Sequence, residues 1–344
     1  YMDNAATSWP KPPEVLRAAM EQAKVDKSML LIESTSNQVD QYGGYTGMTP
    51  ADFVSYLYQI ADSCHYPREK VIIGGDHLGP NSWQKEKVEQ AMPKAHELIR
   101  SCVKAGYRKL HLDTSMRCAD DPGDMNSPLD IHAVAERAAE LCLTAEKTAA
   151  EFSENQLKPV YVIGTDVPKP GGAQYELTEV HVTPQVEIEE TIKVTQQAFK
   201  KLGLQEAWER VIAVVVQPGV EFGDTAVFDY QAKKTTSISR FIEDYPHLVY
   251  EAHSTDYQRT ENLKQMVEDH FAILKVGPWL TFAYREAVFA LDLIEQEWLT
   301  HSKGVTLSGL LEVVEKVMID NPKYWSNHYH GTLAELSYAR KYSL

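Results

Sequence analysis

Polar and ionisable residues collect at the ends of short apolar runs, and their types suit a divalent metal working beside proton-transfer groups. Glu33, Asn37 and Gln38 follow the first run, Asp76 and His77 the second, and Asp113 the third. Asp166 follows the fourth, Gln217 and Glu221 the fifth, His253 and Asp256 the sixth, and Lys275 closes the last. Imidazole and carboxylate are the usual ligands of zinc. His77 follows Asp76 directly, so one can bind metal while the other moves a proton. Lys275 stands in an otherwise apolar run, where an ammonium group is costly unless paired. It precedes Val276-Gly277-Pro278, a glycine turn that opens a helix. Lys275, Gly277, Ser254 and Thr255 are therefore expected to hold a phosphate, helped by the backbone N–H groups of that helix. The alternative for Lys275 is a structural pairing with a buried carboxylate.

The runs that carry these residues read as parallel strands buried on both faces: 28–33, 71–75, 109–113, 160–164, 211–217, 248–253 and 271–277. Helical periods fill the gaps. Val88, Ala91, Met92, Ala95, Leu98, Ile99, Cys102 and Val103 form one apolar face, with Pro93 suggesting a kink or restart. Ile131, Val134, Ala135, Ala138, Leu141, Cys142 and Ala145 form another. Thr49-Pro50-Ala51-Asp52 opens a helix with a capping threonine and a carboxylate in the first turn. Further helices are expected at 184–201, 260–269 and 281–299, and a loop at 120–130. With room for one more strand near the amino end, the alternation predicts a single TIM-type (β/α)8 barrel domain over 1–344. In that fold the carboxyl ends of the strands carry the chemistry, which argues for an enzyme. The other arrangement considered is an open doubly wound sheet, but no Gly-x-Gly-x-x-Gly turn follows a strand, and no nucleotide cofactor is expected.

Composition narrows the class. The 344 residues are 43% hydrophobic and 24% charged, with a net charge of −15 and no Lys/Arg-rich run. That argues against a broad nucleic-acid surface. No apolar run reaches the ~18 residues of a membrane span, and no signal segment is apparent. Cys64, Cys102, Cys118 and Cys142 form no Cys-x-x-Cys pair and read as reduced thiols of a cytoplasmic protein.

Seven segments bring a family into view. They are Leu-Ile-Glu-Ser-Thr-Ser-Asn-Gln-Val-Asp-Gln-Tyr-Gly-Gly-Tyr-Thr-Gly-Met-Thr-Pro (31–50), Gly-Gly-Asp-His-Leu-Gly-Pro-Asn (74–81) and Lys-Leu-His-Leu-Asp (109–113). Ile-Gly-Thr-Asp-Val-Pro (163–168), Val-Gln-Pro-Gly-Val-Glu-Phe (216–222), Glu-Ala-His-Ser-Thr-Asp-Tyr-Gln (251–258) and Leu-Lys-Val-Gly-Pro (274–278) follow in order. Together they resemble the tagatose-bisphosphate aldolase subunit family, the partner of the class II aldolase in galactitol and N-acetylgalactosamine catabolism. The resemblance implies a class II aldolase-like barrel. It also implies a proton-transfer role for Asp76, metal binding by His77 and His253, and Glu221 in the place of a third metal histidine. Beside these, the strand-end placement makes Asp113 and Asp166 candidate catalytic carboxylates, and Asn37, Gln38, Gln217 and Asp256 candidate substrate contacts. Zinc is the expected metal, and a homo-oligomer the expected assembly.

The chain departs from the family in three places. Asp166 stands where a glutamate is usual, the first strand lacks the usual Cys-Ser-Ala-type sequence, and the family chain usually runs beyond Leu344. Residues 1–13 instead look like the opening of a cysteine desulfurase-type aminotransferase. No Schiff-base lysine motif follows, so no pyridoxal phosphate is expected. Three functions are in play. The first is a metal-dependent enzyme acting on the carbon 3–carbon 4 bond of a ketose phosphate, by retro-aldol cleavage or 4-epimerisation. The second is an accessory subunit of a separate class II aldolase. The third is a sugar-phosphate binding protein without chemistry.

Overall fold

The structure is a computed structural model that describes residues 2–3, 12–123, 127–152, 158–164, 180–223, 226–322, 325–326 and 329–341. Its central sheet runs β1 (Met2–Asp3), β2 (Leu30–Thr35), β3 (Val71–Leu78), β4 (Lys109–Leu112), β5 (Val160–Ile163) and β6 (Val211–Val215). A short antiparallel hairpin, β7 (Glu221–Phe222) and β8 (Val227–Phe228), precedes β9 (Val249–Ala252) and β10 (Phe271–Leu274), which complete the sheet. All pairings within the sheet are parallel.

Helices lie between the strands: α1 (Pro13–Asp26), α2 (Pro50–Ser63), α3 (Val88–Ala105), α4 (Ile131–Ala149), α5 (Gln185–Lys201), α6 (Gln205–Trp208), α7 (Ala232–Ile242) and α8 (Thr260–Glu268). The described chain ends in α9 (Pro278–Leu299), α10 (Leu310–Asp320) and α11 (Leu333–Lys341). Thr49 and Asp52 form the expected capping box of α2, with Thr49 N–H donating to Asp52 Oδ2 at 3.0 Å. The restart expected at Pro93 does not occur, and α3 continues through it. No described helix is long and apolar enough to cross a membrane.

The closed eight-stranded barrel is not what forms. The sheet is open, with β1 and β10 at its two edges, and among the described residues no pairing joins them. Seven strands have four residues or more, whereas β1 has two, matched to Ile32 and Glu33 of β2. A two-residue strand makes too little ladder to seal a barrel. The sequence beyond it carries Pro10, Pro12 and Pro13, which have no N–H to give. The sheet is nonetheless strongly curled, because Lys275, just past β10, reaches Asp76 on β3. Lys109 on β4 likewise bridges β2 and β9.

Each strand therefore has an outer face against the helices and an inner face on the concave side. Successive side chains alternate between them. Ile32, Ile73, Leu110, Leu112, Tyr161, Val214, Tyr250 and Phe271 join the main apolar core with the helices. Val162, Ala213 and Val215 form a small separate apolar cluster. Towards the carboxyl ends of the strands the inner face also carries buried charged side chains. All four cysteines are buried and free, and burial pushes the Cys102 and Cys142 thiols far up, as expected of inert core residues.

Candidate functional site

The concave face holds Glu33, Asp76, Lys109, His111, Asp113, Glu251, His253 and Lys275, with His77 beside them, all buried. Several follow from the period of two. Lys109, His111 and Asp113 alternate with Leu110 and Leu112, and Glu251 and His253 flank Ala252. Asp76 and His77 are neighbours and in a regular strand would point to opposite faces. His77 instead adopts a left-handed φ of 48°, where the β3–β4 register shifts between Gly75 and Leu78. That irregularity turns both side chains inward. Gly74 is required by space, since a Cβ there would lie 2.3 Å from Glu33 Oε1.

Three imidazoles form a triangle, with ring centroids 5.1, 5.1 and 5.6 Å apart. Each has one nitrogen tied to a protein acceptor. His77 Nδ1 lies 2.6 Å from Asp113 Oδ2, and His253 Nε2 lies 3.1 Å from Glu251 Oε1. His111 Nε2 donates to the Gly164 carbonyl at 2.9 Å. Carboxylates and carbonyls in these places orient histidine ligands and leave the other nitrogen with a free lone pair. The donor atoms of Asp76, His77, His111 and His253 all come within 4.8 Å of one another.

Two further observations fit a cation there. His111 Nδ1 accepts from the His77 N–H at 3.3 Å and faces Asp76 Oδ1 at 2.8 Å. Two acceptors that close need a shared proton or a cation between them. Around them, four buried carboxyl groups (Glu33, Asp76, Asp113, Glu251) outnumber two buried ammonium groups (Lys109, Lys275), and uncompensated buried charge is costly. The donor set therefore fits a divalent metal held by Asp76, His77, His111 and His253.

The charges are tightly interlocked. Lys109 Nζ lies 2.7 Å from Glu33 Oε1 and 2.5 Å from Glu251 Oε2. Lys275 Nζ pairs with Asp76 Oδ2 and lies 3.6 Å from Glu251 Oε1. Burial opposes ionisation of Asp76, but the neighbouring His77 and Lys275 outweigh it and hold this carboxyl well below its usual range. Glu251 is held low in the same way, with Lys109 and Lys275 overcoming burial. Burial raises Glu33 against the pull of Lys109. Burial and Lys275 pull His253 down to about 3, which keeps it neutral. For His77 burial is outweighed by Asp76 and Asp113, and its pKa rises.

The other expected residues have different placements. Glu221 is buried on β7 and lies outside the set of converging donors. Burial lifts its carboxyl to about 7, against the Phe222 N–H and Ser254, which both favour the charged form. Gln38 Oε1 accepts from Thr35 N–H, and Gln217 Oε1 from the Gly219 and Val220 N–H groups, so both shape their own loops. Asn37 is exposed. Asp256 Oδ1 accepts from the N–H groups of Gly277 and Trp279. Lys275 adopts the structural alternative, its ammonium turned to Asp76. Asp166 lies outside the described residues. His111, Lys109 and Glu251 were not among the expected site residues. Their signal was present as polar residues two apart within otherwise apolar strands.

Comparison with known proteins completes the picture. The chain is similar to a solved probable tagatose 6 phosphate kinase from Sinorhizobium meliloti 1021, at 42% identity and a TM-score of 0.84, over 96% of this chain and 78% of that one. It is also similar to the fructose-bisphosphate aldolase of Campylobacter jejuni, at 11% identity and a TM-score of 0.53, over 95% and 84% of the two chains. At that identity the likeness is one of fold. Residues 10–344 match the family described as D-tagatose-1,6-bisphosphate aldolase subunit GatZ/KbaZ-like, and the chain belongs to it.

Proposed function

We propose that the protein is a metal-dependent enzyme acting on the carbon 3–carbon 4 bond of a ketose phosphate, by retro-aldol cleavage or 4-epimerisation. The observation that carries this reading is the convergence of His77, His111 and His253 on Asp76, each imidazole held by an acceptor behind it. Asp76, His77, His111 and His253 would hold a divalent metal, of which zinc suits the donors, and it would supply Lewis-acid stabilisation of developing oxyanion charge. The rest falls to the chain's own side chains. Glu221, lifted to about 7, suits a group that takes and returns a hydroxyl proton near neutral pH. Asp76, held ionised, suits a ligand better than a base. Asp113 and Glu251 fix the tautomers of His77 and His253.

One observation favours a second reading, an accessory subunit of a separate class II aldolase. Lys275 already sets a protein cation against Asp76. The deciding experiment gives the purified chain zinc and tagatose 6-phosphate or its bisphosphate, and follows the carbon-4 epimer and triose products. Turnover by the chain alone, lost together with bound zinc in His77→Ala and His253→Ala, is the expected result. Activity only on adding a separate aldolase, unchanged by those substitutions, establishes the accessory role.

A further inference from the structure

Helix α9 is turned the wrong way round for the surface of a single chain. Among the described residues, the buried apolar core takes none beyond Phe271, and Leu274, Leu280 and Tyr284 are the last to pack against it. The residues that α9 buries are Pro278, Thr281 and Asp292. Asp292 Oδ1 accepts from the Leu310 N–H at 3.0 Å, and Glu295 Oε2 from the Ser308 N–H at 3.0 Å, so the polar side of α9 faces the protein. Leu291, Ile294 and Trp298 are meanwhile 63, 55 and 78% exposed. An ordinary surface helix has the opposite arrangement. The apolar side is also regular. Leu280, Tyr284, Ala287, Leu291, Ile294 and Trp298 alternate spacings of four and three, the period of a coiled-coil seam. Its first two residues rest on the core, and from Ala287 onward the seam is exposed.

We propose that the exposed half of this seam packs against the same half in a second copy of the chain, antiparallel, about a two-fold axis between Leu291 and Ile294. A two-fold contact needs a surface that fits itself, and this one does. Antiparallel pairing sets Trp298 over the partner's Ala287 and Leu291 against the partner's Ile294, so large meets small. Parallel pairing sets tryptophan on tryptophan and alanine on alanine, crowding one end and hollowing the other. The acids flanking the seam fit as well. Glu295 lies beside the partner's Val288 and Glu297 beside the partner's Ala290, so no like charges meet, which matters for a chain with a net charge of −15. One helical stripe supplies part of the ~800 Å² per partner of a stable interface. Helix α10, none of whose residues is buried, adds apolar surface at Val313 and Val317, one turn apart and 53 and 55% exposed.

Equilibrium sedimentation of the whole chain at ~10 μM should return twice the 38.9 kDa of one copy. Ile294→Glu puts two carboxylates beside the axis and should weaken association at least about a hundredfold. Its circular dichroism should stay that of the parent, because Ile294 is exposed in the single chain. Should that variant fail to fold, Trp298→Ala gives the same reading, a loss of about thirtyfold or more. Val186→Glu, on α5 and 67% exposed, is the control expected to leave the dimer intact. A parent still monomeric at ~100 μM overturns the proposal, including one that instead sediments with phosphatidylglycerol vesicles. So does a dimer that Ile294→Glu leaves intact or that Val186→Glu weakens equally. Cross-linking tests the direction, since the native cysteines are all buried. Ala287→Cys and Trp298→Cys chains, mixed and mildly oxidised, should form a mixed disulfide. Neither should link to itself, because antiparallel pairing separates each from its own counterpart by about 16 Å along the helix, beyond a disulfide's reach. Self-linking by either variant alone overturns the antiparallel arrangement.

Discussion

The two faces of the same strands have been put to opposite uses. Leu110 and Leu112 of β4 pack into the core against the helices, while Lys109 and His111, one residue away, enter a buried charged network on the concave face. Ile73 on β3 is likewise a core residue, and Asp76, where the register shifts, is a candidate ligand. Both faces are equally dry. They differ in what removing a side chain leaves behind: a cavity on the outer face, an unpaired charge or an open coordination position on the inner one.

The largest break expected is on the inner face. His77→Ala should lose bound zinc and lower turnover by about 10³-fold or more, because Lewis-acid stabilisation is worth several kcal/mol. Elemental analysis beside kinetics checks it, and unchanged metal content in a folded variant removes His77 from the donor set.

Glu221→Gln should lower turnover by about 10²–10⁴-fold. It should also abolish a rise in rate as pH climbs through about 7. Its stability effect has the opposite sign. The folded parent keeps this proton up to about 7 and the unfolded chain releases it near 4.5, so the parent loses stability as pH rises between those values. The variant should therefore be roughly 2–3 kcal/mol more stable above pH 7, with the advantage gone near the unfolded pKa. Denaturant titrations at both ends of that range test the sign.

The neighbouring pair Lys109 and Leu110 sharpens the contrast. Lys109→Met removes the nearer of the two cations beside Glu33 and Glu251 and should cost about 3–5 kcal/mol. It should also weaken zinc binding, since Glu251 orients His253. Leu110→Ala should cost a similar ~2–5 kcal/mol by creating a cavity, with zinc affinity untouched. Equal loss of zinc affinity in both would mean that the faces are coupled through the strand. Ile73→Val is the smallest step, about 0.5–1.5 kcal/mol on the outer face with normal activity, measurable as a shifted unfolding midpoint.

The sequence by itself located all seven longer strands, the helices at 88–105 and 131–149, and the Thr49 cap, because burial on one or both faces leaves a period that any reader can count. It also brought Asp76, His77, Asp113, His253 and Lys275 to one end of the sheet. Tertiary structure decided the rest. Closure depends on whether the two edges of the sheet make a ladder, and no local pattern shows that a strand of two residues will stop short of it. His111 and Glu251 sit inside strands, and only the curl of the sheet reveals that their inward face is a site rather than a core. The direction of Lys275 was open in the sequence, between an incoming phosphate and a buried carboxylate. A long flexible ammonium goes to the nearest strong acceptor, and the fold placed Asp76 within its reach.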